Sequence, residues 1–356
     1  MSETTVVMPN PQLDIRQFSM PQLKDWLLQN GEQGFRAKQI YEWLWKKAAP
    51  DFDSMSNLSL KTRELLKEHF QIRAISVARK QVSNDKTIKS AFKLHDGFVV
   101  EGVLIPASDD RMTACVSSQV GCSLTCKFCA TGYMTRERNL EAAEIYDQVV
   151  EITRQAQQHY QAPLTNIVYM GMGEPLLNYA NVLQSIEKIT SPEGLGMAPK
   201  RITVSTAGIA KMIKKLGDDE VKFNLALSLH AANDTKRNTI MPINESNSLD
   251  NLAEALQYFY QKTGSRITFE YIVFYNFNDT LQDAEELLQF TKKVPCKVNI
   301  IEYNPIAEAN FKNTDPKTLD RFAAYLESHG VIVNVRRSRG KDIDAACGQL
   351  AGKETT

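Results

Sequence analysis

Hydrophobic positions change their period along the chain. Between residues 20 and 70 they recur at helical spacing. "MPQLKDWLLQNG" puts Leu23, Trp26 and Leu27 on one face, and "FRAKQIYEWLWKKA" does the same with Ile40, Trp43 and Leu44. Asn30-Gly31 reads as a helix stop, and Ser59 as the start of a third helix, "SLKTRELLKEHF". Residues 1–75 are therefore expected to form a small helical module with Trp26, Trp43 and Trp45 in its core. From about Ile75 to Pro106 the period shortens to that of strands, in "SAFKLHDG" and "FVVEGVLIP", with Asp96-Gly97 as the turn. Residues 76–111 are set apart as a strand-rich extension.

From Met112 onward strands alternate with amphipathic helices. "MTACVSSQ", "NIVYMGMG", "RITVSTAG", "KFNLALSLH", "RITFEYIVFYN", "KVNIIEYNP" and "VIVNVRRS" read as strands, and "LEAAEIYDQVVEITRQAQQHY" is the longest helix between them. Such alternation implies a parallel sheet covered by helices, here about six repeats. That is too few to close an eight-stranded barrel. The expected fold is α/β, a partial (β/α)6 barrel over residues 112–350 with a small helical N-terminal accessory domain. Residues 351–356 are read as a disordered tail.

Composition narrows the class. The 356 residues are 43% hydrophobic and 24% charged, ordinary for a soluble globular protein. No apolar run approaches the roughly 18–20 residues needed to span a bilayer. The N-terminus lacks a basic start followed by an apolar stretch. A cytoplasmic protein with no membrane partner is expected. Net charge is zero, so no global field advertises a nucleic-acid partner. Two local clusters stand out, five basic residues against Asp85 between Arg79 and Lys93, and Arg336, Arg337, Arg339 and Lys341 near the end. Either cluster alone is also what a solvated surface looks like.

The chemistry lies in the cysteines. Cys122, Cys126 and Cys129 share the loop "GCSLTCKFCATG" that follows the first barrel strand. A reducing compartment rarely keeps disulfides, so clustered cysteines there bind metal or react. Three ligands underfill a tetrahedral zinc site. Cys115 lies seven residues earlier, inside a strand pattern, which makes it an awkward fourth. A cubane iron–sulfur cluster takes three thiolates and leaves one iron open. Iron–sulfur is favoured on spacing, and zinc stays open. Functional residues of such barrels sit at the C-terminal ends of strands. Here those ends carry Gly171-Met172-Gly173-Glu174-Pro175, Ser205-Thr206, Ser228-Leu229-His230 and Tyr303-Asn304-Pro305. Period-two alternation turns Ser228 and His230 to one face and leaves Leu229 only its backbone.

"CSLTCKFC", with Phe128 as the aromatic, resembles the signature of the radical S-adenosylmethionine (SAM) superfamily. With "GMGEPLLN", "STAG", "LSLHAAND", "MPIN", "YNP" and "ACGQL", in that order, the chain is similar to the RlmN/Cfr family of RNA methyltransferases from about Phe35 to Leu350. The resemblance implies one [4Fe–4S] cluster on Cys122, Cys126 and Cys129, and two SAM molecules consumed per turnover. It implies methylation of an adenine ring carbon through a methylated cysteine, since such a carbon is not nucleophilic. Cys347 would carry the methyl group, and Cys115 would resolve the protein–RNA crosslink by forming a disulfide with Cys347. Glu101 would be the general base. Gly173, Glu174, Ser205, Ser228, Leu229, His230 and Asn304 would bind SAM, and Met170 would lie near the reacting centre. Cys296 matches no motif position and is read as structural.

The resemblance further implies 23S rRNA and tRNA as partners, a flavodoxin- or ferredoxin-like electron donor, and a monomeric chain. The two basic clusters become candidate phosphate contacts beside Glu101 and Cys347, with the target adenine extruded into the barrel mouth. Methylation at C2 is the preferred outcome, and methylation at C8 the alternative on the same residues. A zinc-stabilised RNA-binding protein without catalysis is the competing reading from another class. One departure is visible. Thr135 and Arg136, in "YMTRERNL", replace the family's usual glycine-containing loop and aromatic, while Arg138, Asn139 and Leu140 still match.

Overall fold

The computed structural model describes residues 13–352. The short strands β1 (Leu13–Asp14) and β2 (Phe70–Gln71) pair in parallel and bracket α1 (Met20–Gln29), α2 (Arg36–Trp45) and α3 (Leu60–His69). Ser19 and Gln22 form a reciprocal capping box at the start of α1, and the Ser59 hydroxyl accepts from the Thr62 N–H to start α3. Leu23, Leu27, Ile40 and Leu44 are buried as their spacing requires. The tryptophans divide. Trp45 is enclosed, whereas Trp26 and Trp43 sit half-buried at the rim of the core.

Ten strands form one sheet: β3 (Ser76–Val82), β4 (Ile88–Lys93), β5 (Val99–Pro106), β6 (Met112–Cys115), β9 (Asn166–Tyr169), β10 (Ile202–Thr206), β11 (Asn224–Ser228), β12 (Ile267–Val273), β13 (Cys296–Glu302) and β14 (Val333–Arg336). They lie side by side in chain order. From β6 to β14 all pairings are parallel. The helices α4 (Ala142–Tyr160), α5 (Tyr179–Thr190), α6 (Ala210–Asp218), α8 (Leu249–Thr263), α9 (Leu281–Thr291) and α10 (Pro316–Ser328) make the crossovers, with a short α7 (Asp234–Ile240) before α8. This is the expected partial barrel of six βα units, ended by a seventh parallel strand. A two-stranded pair, β7 (Gln119–Val120) with β8 (Arg138–Asn139), pinches the cysteine loop at its base.

Residues 76–111 extend this sheet. β5 pairs antiparallel with β6 from Val103↔Cys115 to Pro106↔Met112, and β4 and β3 follow as a meander. The helical module packs on the barrel through α4. Trp45 meets Tyr146 edge to face at 5.1 Å, and the Arg16 guanidinium spans Asp14 and Asp147 at 2.9 and 2.8 Å.

The open side of the barrel is bridged at the β3–β4 turn. Asp85 accepts from the Gly340 N–H at 2.8 Å, Asp342 accepts from the Asn84 N–H at 3.0 Å, and Lys89 donates to the Asp344 carbonyl at 3.3 Å. This clasp delivers residues 345–352 across the strand ends. Ala351 and Gly352, read on sequence as part of a disordered tail, each donate an N–H to Glu101, at 2.9 and 3.2 Å. Residues 353–356 of that tail, and 1–12 of the N-terminal module, lie outside the described residues. Among the described residues no helix is long and apolar enough to cross a membrane.

Candidate active site

The C-terminal strand ends open onto a cavity with about 920 Å³ of empty space, its mouth included. Cys122, Cys126 and Cys129 line it, with Gly173, Glu174, Ser205, Ser228, His230 and Cys347. A second cavity adjoins it, lined by Cys115, Cys129, Met170, Arg336 and Cys347 among others. Cys347 and Met170 border both. All six cysteines are free.

The cysteine loop is held from three directions. Lys127 N–H donates to the Ile240 carbonyl at the end of α7, at 3.0 Å. Ala130 N–H donates to the Gly348 carbonyl at 2.7 Å, and Thr131 hydroxyl to the Leu350 carbonyl at 2.6 Å. Arg138 joins the base of the loop to α4, reaching Glu144 at 2.7 Å and Asp96 at 2.5 Å. Thr135 also has a packing role. Gly121, at φ +73°, brings its Cα so close to the Thr135 carbonyl that a Cβ would lie 2.0 Å from the oxygen.

Burial pushes the three thiols up, that of Cys122 to about 11. Backbone N–H groups oppose this, Leu124 at Cys122 and Gly132 and Thr131 at Cys129. Among the described residues no three Cys, His, Asp or Glu side chains converge to hold a single ion. A tetrahedral zinc needs every thiolate about 2.3 Å from one centre. A cubane takes each thiolate on its own iron, so three thiols lining one cavity, with N–H donors beside Cys122 and Cys129, fit it.

Glu174 is one of the cavity's acids. It is buried, and one carboxylate oxygen accepts from Leu176 N–H at 3.0 Å, the other from Ala207 N–H at 2.7 Å. Burial raises its pKa and those donors pull it back. Both donors are backbone amides, so the carboxylate keeps lone pairs for an ammonium group. Gly173 is required at its place. With φ +92°, an added Cβ would lie 2.5 Å from Gln119 Cβ. Gln119 in turn binds the Asn139 amide and the Glu174 N–H, both at 2.8 Å. The cysteine loop and the "GMGEP" turn are thus one network.

Ser205 and Ser228 face each other at 3.4 Å between their hydroxyl oxygens. His230 also faces the cavity, at φ +55°, with its ring edge to face on Phe128 at 4.7 Å. Its Nδ1 accepts from the Ile272 N–H at 3.1 Å, which puts the ring proton on Nε2. Burial and the nearby Arg237 guanidinium push its pKa down to about 3. His230 is a neutral donor toward the pocket, not an acid.

Three sequence candidates do not line either cavity. Leu229 is fully buried, and its N–H and carbonyl are engaged by Glu270 and Arg237. Asn304 donates its amide to the Cys347 carbonyl at 3.1 Å, so it holds the cysteine segment. Glu101 is buried on β5, 3.4 Å from Lys89, with its other oxygen on Ala351 and Gly352. The basic clusters also change meaning. Lys89 points inward to Glu101, Arg336 pairs with Glu270 at 3.2 Å beside Cys115 and Cys347, and Arg337 and Lys341 both meet Glu302. Lys89 is an interior group, whereas Arg336 is held by Glu270 with its side chain part-exposed.

Sequence reasoning missed Glu270 and Arg237. Glu270 lines the main cavity from the middle of β12. A lone carboxylate within the apolar run "RITFEYIV" was the signal available. Burial pushes Cys115 up to about 12, with the neighbouring Cys347 adding to the rise, and burial raises Cys347 as well; the Arg336 guanidinium opposes both. Cys347 itself is exposed in the cavities it borders.

Residues 13–72 match the profile of the ribosomal RNA large subunit methyltransferase N-terminal domain, and residues 116–291 that of the radical SAM superfamily. The probable dual-specificity RNA methyltransferase RlmN of Cytophaga hutchinsonii is 67% identical over 340 residues, covering 96% of this chain and 93% of its own. The chain belongs to the RlmN family. Its counterpart in Christiangramia forsetii is 58% identical, with 96% of each chain covered. A crystal structure of a radical SAM methyltransferase from Sphaerobacter thermophilus superposes with a TM-score of 0.90 at 37% identity, over 96% of this chain and all of that one. As a radical SAM methyltransferase of the RlmN family, the protein uses a [4Fe–4S] cluster and SAM. The three-cysteine cavity with Glu174 on its wall is where both fit.

Proposed function

We propose that this RlmN-family enzyme methylates C2 of an adenine in 23S rRNA and in some tRNAs, with Cys347 as the methyl carrier. The observation that carries the reading is that Cys347 borders the cavity of the three cluster cysteines and, on its other side, a cavity shared with Cys115. A methyl group received in the first can be presented to a base from the second.

The residues divide the work. Cys122, Cys126 and Cys129 would hold the cluster, which when bound supplies the electron that cleaves SAM homolytically. Glu174 would accept from the SAM ammonium, its carboxylate pre-oriented by the Leu176 and Ala207 amides. Ser205, Ser228 and the Nε2–H of His230 offer neutral hydrogen bonds to the ribose and carboxylate. Asn304 fixes the Cys347 carbonyl and so the direction of its side chain. Cys115, as a thiolate, would release the product by attacking the Cys347 sulfur. The S–S bond forms as the bond from that sulfur to the transferred carbon breaks, and the carbon leaves with the electron pair and takes up a proton. Glu101 would take a proton from the substrate, its Oε2 accepting from Ala351 and Gly352 and its Oε1 facing Lys89.

We also infer a cytoplasmic, monomeric enzyme served by a flavodoxin- or ferredoxin-type donor, with folded RNA held by the helical module. The test is direct. Protein reconstituted without oxygen is incubated with SAM, reductant and an unmodified 23S rRNA fragment, and the digested RNA is analysed by mass spectrometry. 2-Methyladenosine is the expected product. 8-Methyladenosine would move the assignment to the alternative carbon, and a SAM-binding protein that made neither would overturn the RNA substrate.

A further inference from the structure

Arg237 is fully buried, on α7 directly behind the cysteine loop. Its guanidinium donates to the carbonyls of Leu229 at 3.1 Å, Ala207 at 2.6 Å and Ser228 at 3.2 Å, and to the Asn244 amide oxygen at 2.5 Å. Among the described residues no carboxylate pairs with it. Other buried or part-buried guanidiniums differ. Arg16, Arg138 and Arg336 each meet a carboxylate oxygen at 3.2 Å or less.

Asp234 is the nearest acid, and it acts at one remove. It accepts from Asn244 at 2.7 Å, and Asn244 accepts from Arg237. A buried cation satisfied by neutral dipoles still carries its desolvation cost, several kcal/mol in general. An opposite charge in the same low-dielectric region would offset it. The structure supplies a place for one. Ala207 and Ser228 line the cluster cavity, Cys126 interacts electrostatically with Arg237, and the Lys127 N–H is bonded to Ile240, three residues further along α7.

We propose that Arg237 is the counter-charge of the iron–sulfur cluster and sets how readily the cluster accepts its electron. A cubane on three thiolates is a net anion, and reduction adds one electron from a low-potential donor, makes it more negative and breaks no bond in the chain. A fixed buried cation favours the reduced form over the oxidised one. Arg237 is a positioning residue in the same stroke. It draws together the carbonyls at the ends of β10 and β11, and so the two strand ends that present Ser205, Ser228 and His230. The inference rests on the assignment of Cys122, Cys126 and Cys129 as cluster ligands.

The test is the midpoint potential of the cluster in anaerobically reconstituted protein, titrated with redox mediators and followed by electron paramagnetic resonance, without RNA. Arg237→Gln should make reduction at least ten-fold less favourable, and each ten-fold step is about 59 mV for one electron. Arg237→Lys keeps the charge and should remain close to the parent. Asp234→Asn removes the acid behind Asn244 and should shift the potential the other way by a smaller factor. An intact cluster with an unmoved potential in Arg237→Gln would overturn the proposal. If that variant loads no cluster, Asp234→Asn decides, and an unmoved potential there overturns it. A parent protein lacking a cluster signal would instead fail the ligand assignment.

Discussion

Replacing Gly173 by alanine tests whether the "GMGEP" turn and the cysteine loop form one unit. The added methyl meets Gln119 Cβ at 2.5 Å, its Cγ at 2.7 Å and its backbone N at 2.9 Å. Gln119 cannot yield freely, because its amide is held by Asn139 and Glu174. Three costs combine. A non-glycine residue at φ +92° costs about 1–2 kcal/mol. Overpacking in a closed environment costs about 1–3 kcal/mol, and a broken buried hydrogen bond about 1 kcal/mol. The expected loss is therefore about 3–6 kcal/mol, unless the turn shifts away from the cavity and takes Glu174 with it. Gly264→Ala is the control, since it has φ +64° and nothing within 4 Å of the added carbon. It should lose about 1 kcal/mol. Urea denaturation of the metal-free chains measures stability, and equilibrium dialysis of reconstituted protein measures SAM affinity. A Gly173→Ala protein as stable as Gly264→Ala, and unimpaired in SAM binding, would refute the reasoning.

Other outcomes follow from the same geometry. Glu174→Gln keeps the size of the side chain and removes its charge, so SAM affinity should drop at least ten-fold while the brown colour of the cluster persists; equal affinity in dialysis would remove Glu174 from the site. Cys347→Ala should abolish methylation and leave iron content and SAM binding intact. Cys115→Ala should accumulate a covalent protein–RNA adduct, visible as a shifted band, and free product from it would remove Cys115 from its role. His230 has a pH signature. Its folded pKa of about 3 lies below the unfolded value of about 6.5, so the unfolded chain takes the proton first as pH falls. Its contribution is complete above about pH 6.5 and is lost toward pH 3, about 2 kcal/mol between pH 7 and pH 5. Asparagine tolerates the left-handed conformation, so His230→Asn should fold and lose less stability over that interval in urea titrations.

The barrel was legible because its signal is local. Each strand or helix from Met112 onward carries its own period, and caps such as Ser19, Ser59 and Asp315 mark helix starts independently of their partners. The cluster cysteines share one loop, so their identity and spacing were enough. Strand alternation also placed Ser228 and His230 in the cavity and kept Leu229 out of it. Polarity on a strand does not report its partner. Lys89 belongs to a basic cluster that reads as surface, yet it meets Glu101 at 3.4 Å in the interior, across the neighbouring strands β4 and β5. Tryptophan spacing misled for a similar reason. Trp45, off the periodic face of α2, is the one that the barrel helix α4 covers.

The position of Cys347 could not be read from sequence, since it depends on contacts across some 255 residues. The β3–β4 turn holds Gly340, Asp342 and Asp344, and this anchors one end of the cysteine segment. Thr131, Ala130 and Glu101 hold the other end through Leu350, Gly348 and the amides of Ala351 and Gly352. Between these anchors Asn304 holds the Cys347 carbonyl. The basic turn region that sequence offered as an RNA contact is therefore first of all a clasp. Glu101 thus anchors the segment through one carboxylate oxygen while its other oxygen meets Lys89.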